Sequence, residues 1–157
     1  MNPARQTQIL AAIAAATASA TKREDILAEI YATISLIPGI TCWRSRAEAL
    51  IRDECPAVVV APGRDSPTVP RVSTCYIDWS MVVQVAVNTR GSIPDQLADP
   101  ILSAIHASLM IDQSLGGLVI EIMPGNLSWQ LDKADLTSCW AVQDWMVRYR
   151  TAPALLD

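Results

Sequence analysis

Residues 77–88 read Ile-Asp-Trp-Ser-Met-Val-Val-Gln-Val-Ala-Val-Asn, and this stretch decides the fold. Its odd-numbered positions are all apolar: Ile77, Trp79, Met81, Val83, Val85 and Val87. They alternate with residues that are mostly more polar. A period of two predicts a β-strand with one buried face and one wet face. A strand of about 11 residues is about 36 Å long, whereas five or six residues are usual. We therefore expect one end to project beyond the sheet and pair with another molecule.

The segments after this strand predict one helix and three further strands. Ser92, Pro94 and Asp95 open the helix, whose apolar residues recur at three and four: Leu97, Ile101, Leu102, Ile105 and Leu109. Residues 118–123 and 127–131 predict two strands joined at Pro124-Gly125-Asn126, and 132–135 predicts a turn. The last strand runs to about Arg150. Its apolar positions change phase, which predicts a β-bulge near Gln143-Asp144.

The segments before the strand predict two helices and two strands. Residues 2–20 form an alanine-rich helix with a narrow apolar stripe of Ile9, Leu10 and Ile13. Thr21 and Glu24 form a capping box for a second helix, which ends at Pro38-Gly39. Strands are predicted at 40–44 and 57–61, and three prolines and a glycine predict a long loop at 61–74. The pattern indicates a single α+β domain over residues 1–157, with 1–20 as a helical extension.

Composition excludes several classes of protein. The chain is 51% hydrophobic and 18% charged, which is typical of a folded domain rather than a disordered one. The chain has no run of about 18 strongly apolar residues, so no membrane span is predicted. Residues 9–20 are too rich in alanine for a signal peptide. Residues 1–75 carry eight basic and seven acidic side chains, and residues 76–157 carry four and nine. Specific nucleic-acid binding is therefore not expected, because it needs clustered cations.

The chain offers little for catalysis or metal binding. Asp99, Ser103 and the one histidine, His106, fall on one helical face, which leaves a small hydrolase as an alternative. No G-x-S-x-G elbow and no phosphate-binding loop accompany them, and Asp132 and Asp135 indicate a turn rather than a calcium loop. The four cysteines contain no C-x-x-C pair and are interpreted as reduced, structural thiols. We expect no catalytic residue, no cofactor and no metal.

Five tryptophans in a chain without phenylalanine are the remaining unusual feature: Trp43, Trp79, Trp129, Trp140 and Trp145. All five fall on predicted strands. They are expected to fill the core in place of phenylalanine, and the alternative is that one or two anchor a subunit interface.

The order of elements resembles the tail terminator family of lambda-like long-tailed bacteriophages, also called minor tail protein U. The resemblance rests on a strand at Pro56-Ala57-Val58-Val59-Val60, a loop, and then the strand from Trp79 to Val87. Ile93-Pro94-Asp95 then opens a helix, and Ala134-Asp135-Leu136-Thr137 leads into a strand that ends Arg148-Tyr149-Arg150-Thr151. Together these segments span roughly residues 22–151.

The resemblance implies a fold, a function and a set of partners. The fold is a mixed, mostly antiparallel sheet packed against two main helices. The subunit forms a ring, six-membered in this family, on the end of the tail tube, stops tube polymerisation and provides the surface that joins the head. Its partners are other copies of itself, the tail tube protein and a head completion or connector protein, with no membrane. Its location is the head-proximal end of the tail in the virion.

A head-to-tail ring needs two different patches on each subunit. The candidate interface residues are Arg64, Asp65, Arg71, Arg90, Asp95 and Asp99. We expect the three arginines to form one patch that meets Asp95 and Asp99 of a neighbour. The alternatives are a head–tail connector or neck protein and a non-viral domain that binds a small ligand between sheet and helices.

Overall fold

A computed structural model describes residues 3–18, 20–68, 75–131 and 137–153. Arg71 and the predicted turn at 132–135 lie outside these ranges. The helices are α1 (Pro3–Ala18), α2 (Lys22–Ser35) and α3 (Pro94–Met110), with a short 3-10 helix at Arg52–Glu54. The strands are β1 (Thr41–Arg44), β2 (Ala57–Thr68), β3 (Ile77–Arg90), β4 (Glu121–Leu131) and β5 (Ser138–Thr151). None of the described helices is long and apolar enough to cross a membrane.

The strands form one sheet in the order β1-β2-β3-β5-β4. β1 runs parallel to β2, and the other three pairs are antiparallel. The predicted α+β class, with a mixed and mostly antiparallel sheet packed against helices, is confirmed. β1 and β4 are the two edge strands.

The core lies between α2, α3 and one face of the sheet, which we call the helix face. The odd-numbered residues of β3 from Met81 to Val87 are buried there, as the alternation predicts. α2 contributes Ile26, Leu27, Ile30 and Ile34, spaced three or four apart along one side of the helix. α2 begins where predicted, because the Thr21 hydroxyl accepts a hydrogen bond from the Glu24 backbone N–H (3.4 Å).

The predicted loop at 61–74 is wrong for residues 61–68, which continue β2. β1 pairs only with 57–60, so β2 is an edge strand beyond Val60, where a proline need not break a ladder of hydrogen bonds. A β-bulge between Pro62 and Asp65 takes up one extra residue opposite β3. The bulge also changes the phase of the strand, so that Asp65 turns to the helix face opposite Met81.

The predictions for β4 and β5 also need correction. Residues 121–131 form one strand rather than two, and the predicted turn at Pro124-Gly125-Asn126 is a bulge within it. The bulge expected in β5 near Gln143-Asp144 therefore lies in the neighbouring strand. β5 keeps one phase throughout, because its buried aromatic and aliphatic residues all lie at odd positions: Cys139, Ala141, Trp145, Val147 and Tyr149.

The long central strand does not project. All 14 residues of β3 pair with β5, from Ile77 opposite Thr151 to Arg90 opposite Ser138. The expectation that one end pairs with another molecule is wrong for this strand. Residues 4–14 of α1, by contrast, are all solvent-exposed.

Candidate functional site

An open groove lies between the end of edge strand β4 and the first turns of α3. Beyond its bulge, β4 places Trp129 opposite Ala141 and Leu131 opposite Cys139, and both of these β5 residues are buried on the helix face. Trp129 and Leu131 therefore point to the side of the sheet that α3 covers. They remain 43% and 61% exposed, because α3 does not reach over them.

The groove has a volume of about 600 Å³ and combines an apolar floor with an acidic rim. Its lining residues are Asp95, Gln96, Asp99, Trp129, Leu131 and Cys139. The two carboxylates are four residues apart on α3 and so lie on the same side of that helix. Burial, and then the charge of nearby Asp95, raise the pKa of the Cys139 thiol. The arrangement suits a ligand that presents apolar side chains together with a cation.

The start of α3 is held in place by the end of β3. The buried Thr89 hydroxyl donates a hydrogen bond to the Pro94 carbonyl oxygen (2.5 Å), and Pro94 itself is buried at the first helical position. Asp95 lies in the first turn, where its negative charge interacts favourably with the helix dipole. The acidic rim is therefore carried by a well-anchored element.

The structure does not bring the basic candidates together. Arg64 lies at the β2 bulge, level with Val82 of β3, and is exposed. Arg90 lies eight residues further along β3, and its Nη2 donates a hydrogen bond to the Leu50 carbonyl oxygen (3.3 Å). Eight residues of strand span about 26 Å. The predicted single patch of Arg64 and Arg90 is therefore not formed within one subunit, and Arg71 lies outside the described residues.

Asp65 belongs to an internal network rather than to the surface. Its Oδ2 accepts a hydrogen bond from the Tyr149 hydroxyl (2.7 Å) and lies 2.5 Å from Arg23 Nε. The Arg23 guanidinium also stacks over Trp79, 5.2 Å from the ring centroid. An interface role for Asp65 stays a prediction, but its contacts join β2, β5 and α2 of one chain.

The residues of the hydrolase alternative do not assemble into a triad. Asp99, Ser103 and His106 are all exposed on α3, and no hydrogen bond joins any two of them in the described structure. The His106 ring instead lies 5.8 Å from the ring of Trp145. Within the described ranges, no three His, Cys, Asp or Glu side chains are grouped so that they could hold a metal ion.

The tryptophans differ in burial, so not all of them fill the core, and an interface role for any of them stays a prediction. Trp145 is fully buried and Trp79 packs against the core, whereas Trp129 is 43% exposed in the groove. Trp43 carries the Arg46 guanidinium on its ring at 4.3 Å. From the sequence, Trp129 is only one of five candidate interface anchors, and Leu131 is not a candidate. Both residues lie at odd-numbered positions after Pro124-Gly125-Asn126. The face of the sheet that these positions occupy becomes clear only when that segment is recognised as a bulge.

A further exposed apolar surface is α1. Ile9, Leu10 and Ile13 are 41%, 61% and 54% exposed, and Arg5 lies one turn before Ile9. The helix and its stripe agree with the prediction from the sequence. The sequence did not predict that the stripe would stay exposed.

Comparisons with known proteins establish no family for this chain. No protein-family model matches it, and no curated protein sequence matches it. Its backbone is similar to one chain in a solved structure of the virion of a native gene transfer agent particle. The TM-score is 0.48 at 8% sequence identity, over 80% of this chain and 94% of that chain.

Proposed function

We propose that this chain is a structural subunit of a phage-like virion, and specifically a tail terminator that assembles into a ring on the end of the tail tube. The ring stops tube polymerisation and provides the surface that joins the head. The observed sheet, packed against two main helices, agrees with the fold that the resemblance in element order implies.

One observation carries the proposal: among the exposed apolar side chains of the described structure, two surfaces differ in shape. One is a convex helix, α1, and the other is the concave groove between α3 and β4. Subunits that associate through two different patches form head-to-tail contacts, which close into a ring when the rotation between neighbours allows it. A single self-complementary patch would instead give a two-fold dimer.

The first test is the mass of the assembly. Six copies of the 17.0 kDa chain weigh about 100 kDa, and light scattering behind size exclusion can measure this across a series of protein and magnesium concentrations. A closed species near that mass supports a ring. An unlimited increase of mass with concentration would show an open chain of subunits and contradict closure.

The second test is tube capping. The proposal requires a tail tube protein from the same genome, which is polymerised with and without the full chain while tube lengths are measured by electron microscopy. A terminator shortens the tubes and binds one end. Binding to empty capsids with no effect on tube length would favour the head–tail connector or neck protein over the terminator.

A further inference from the structure

The exposed side of α1 combines a cation with apolar side chains. Arg5, Ile9 and Ile13 recur every four residues, so they lie along one side of the helix, with Leu10 beside them. The helix has 16 residues and is therefore about 24 Å long. It offers the groove a rod that carries one positive charge near its start and aliphatic side chains behind it.

The groove is complementary to this side of α1, because it combines negative charges with exposed apolar side chains. Asp95 and Asp99 on its rim lie along one side of α3, also four residues apart, next to the exposed Trp129 and Leu131. Neither carboxylate has a cationic partner within 4.0 Å in the described structure. A cation supplied by another molecule would neutralise this rim while apolar groups cover the floor.

Several other arginines already form ion pairs within the chain. Arg44 pairs with Glu24, Arg46 with Glu54, Arg148 with Glu121 and Arg150 with Asp78, all at 2.5–2.7 Å. Arg5 differs from them in lying among exposed aliphatic side chains. Charge and hydrophobicity therefore coincide on α1 as they do in the groove.

We infer that the groove binds α1 of a second copy of this chain, with Arg5 against Asp95 and Asp99 and with Ile9 and Leu10 against Trp129 and Leu131. Each copy offers one helix and one groove, so the contact is head-to-tail. The inference names the junction of the proposed ring and rests on that proposal only for closure.

The test is a charge exchange in the full chain. Arg5→Glu alone and Asp95→Arg with Asp99→Arg should each raise the dissociation constant of self-association about tenfold or more. All three substitutions in one chain restore the pairing with its signs reversed, and should bring association back to near the wild-type value. Light scattering over a dilution series measures each step.

Matched controls separate lost binding from lost folding. Ile9→Asp should abolish association, whereas Ile111→Asp should not, because Ile111 is 86% exposed and lies at the end of α3 opposite to the groove. Leu131→Asp tests the groove without altering the first turn of α3, where Asp95 interacts with the helix dipole. Every variant is first shown to melt like the wild type. Arg64→Glu tests the alternative expected from the sequence, in which Arg64 meets Asp95 and Asp99 of a neighbouring copy.

The outcomes distinguish this inference from the proposed function. Unchanged association of Arg5→Glu and Ile9→Asp, or a wild type that stays monomeric throughout, overturns the inference even if the chain caps tubes. Association that depends on Arg5 and Asp99 in a chain that caps no tubes supports the inference and overturns the terminator. Groove variants that lose tube binding but still self-associate normally would identify the tube protein as the occupant. If Arg64→Glu were the only substitution that abolished self-association, the interface would lie on β2 instead.

Discussion

At the level of single residues, the least expected feature is the network around Tyr149. This buried side chain lies between Asp65 and Arg23: its hydroxyl donates to the Asp65 carboxylate (2.7 Å) and accepts from Arg23 Nε (3.0 Å). Its ring stacks on Trp79, with centroids 6.2 Å apart. The cluster joins four elements, α2, β2, β3 and β5, so its loss should affect the fold rather than one strand.

Tyr149→Phe removes only the hydroxyl and should lower the free energy of unfolding by about 1–3 kcal/mol. The phenylalanine ring keeps the packing, and Asp65 Oδ2 keeps its ion pair with Arg23 but loses the tyrosine donor; a hydrogen bond to a charged group contributes about 1.5–3 kcal/mol. Urea unfolding followed by tryptophan fluorescence measures the change. Tyr76→Phe is the matched control, because the Arg150 guanidinium stacks on a ring that the substitution retains. An equal loss in both variants would contradict a special role for the Tyr149 hydroxyl.

The same tyrosine predicts a loss of stability in strong alkali. Burial, and then the hydrogen bond to Asp65, raise the pKa of Tyr149 from 10.0 to about 12. A group whose pKa is raised by folding stabilises the folded state fully below its unfolded pKa. This contribution is lost as pH rises from 10 to 12. Unfolding free energies of wild type and Tyr149→Phe should therefore converge over that range, and parallel pH profiles would contradict the assignment.

At the level of elements, the sequence predicted regular structure well and irregular strands poorly. The period-two pattern of β3 and the Thr21 cap of α2 both rest on local preferences, and both are confirmed. The predicted capping box is only half formed, because the Glu24 carboxylate pairs with Arg44. The extension of β2 through Pro62 and Pro67 could not be predicted, because edge position, which makes proline tolerable, is a tertiary property. The same applies to Pro124 at the β4 bulge.

The bulge in β2 predicts that a side chain at position 63 destabilises the fold. A Cβ at this position would lie 2.9 Å from the Val82 carbonyl oxygen, which is backbone and cannot move aside cheaply. Gly63→Ala should cost about 1–3 kcal/mol in unfolding free energy. Gly91→Ala is the control, because its Cβ would meet only the end of the half-exposed Leu97 side chain. If Gly63→Ala proves as stable as Gly91→Ala, the bulge can relax and does not constrain the position of Asp65.

At the level of the whole molecule, the candidate site was only partly predictable. Asp95 and Asp99 were proposed from charge alone, and the structure places both on one groove. Arg64 and Arg90 are expected in one basic patch because a head-to-tail ring needs two different patches, but Arg64 lies level with Val82 of β3, eight residues from Arg90. Trp129 and Leu131 were missed because their exposure depends on how far α3 reaches over the sheet.

Removal of α1 should separate folding from assembly. The described core is built from residues between Ile26 and Tyr149, and residues 4–14 of α1 are all exposed. A chain that starts at Ala20 should therefore unfold in urea with a midpoint and slope close to those of the full chain, because the slope reports the surface that unfolding exposes. The same truncated chain should stay monomeric at concentrations where the full chain associates. A large fall in the midpoint would show that α1 packs on its own domain in solution, and the groove would then need a different occupant.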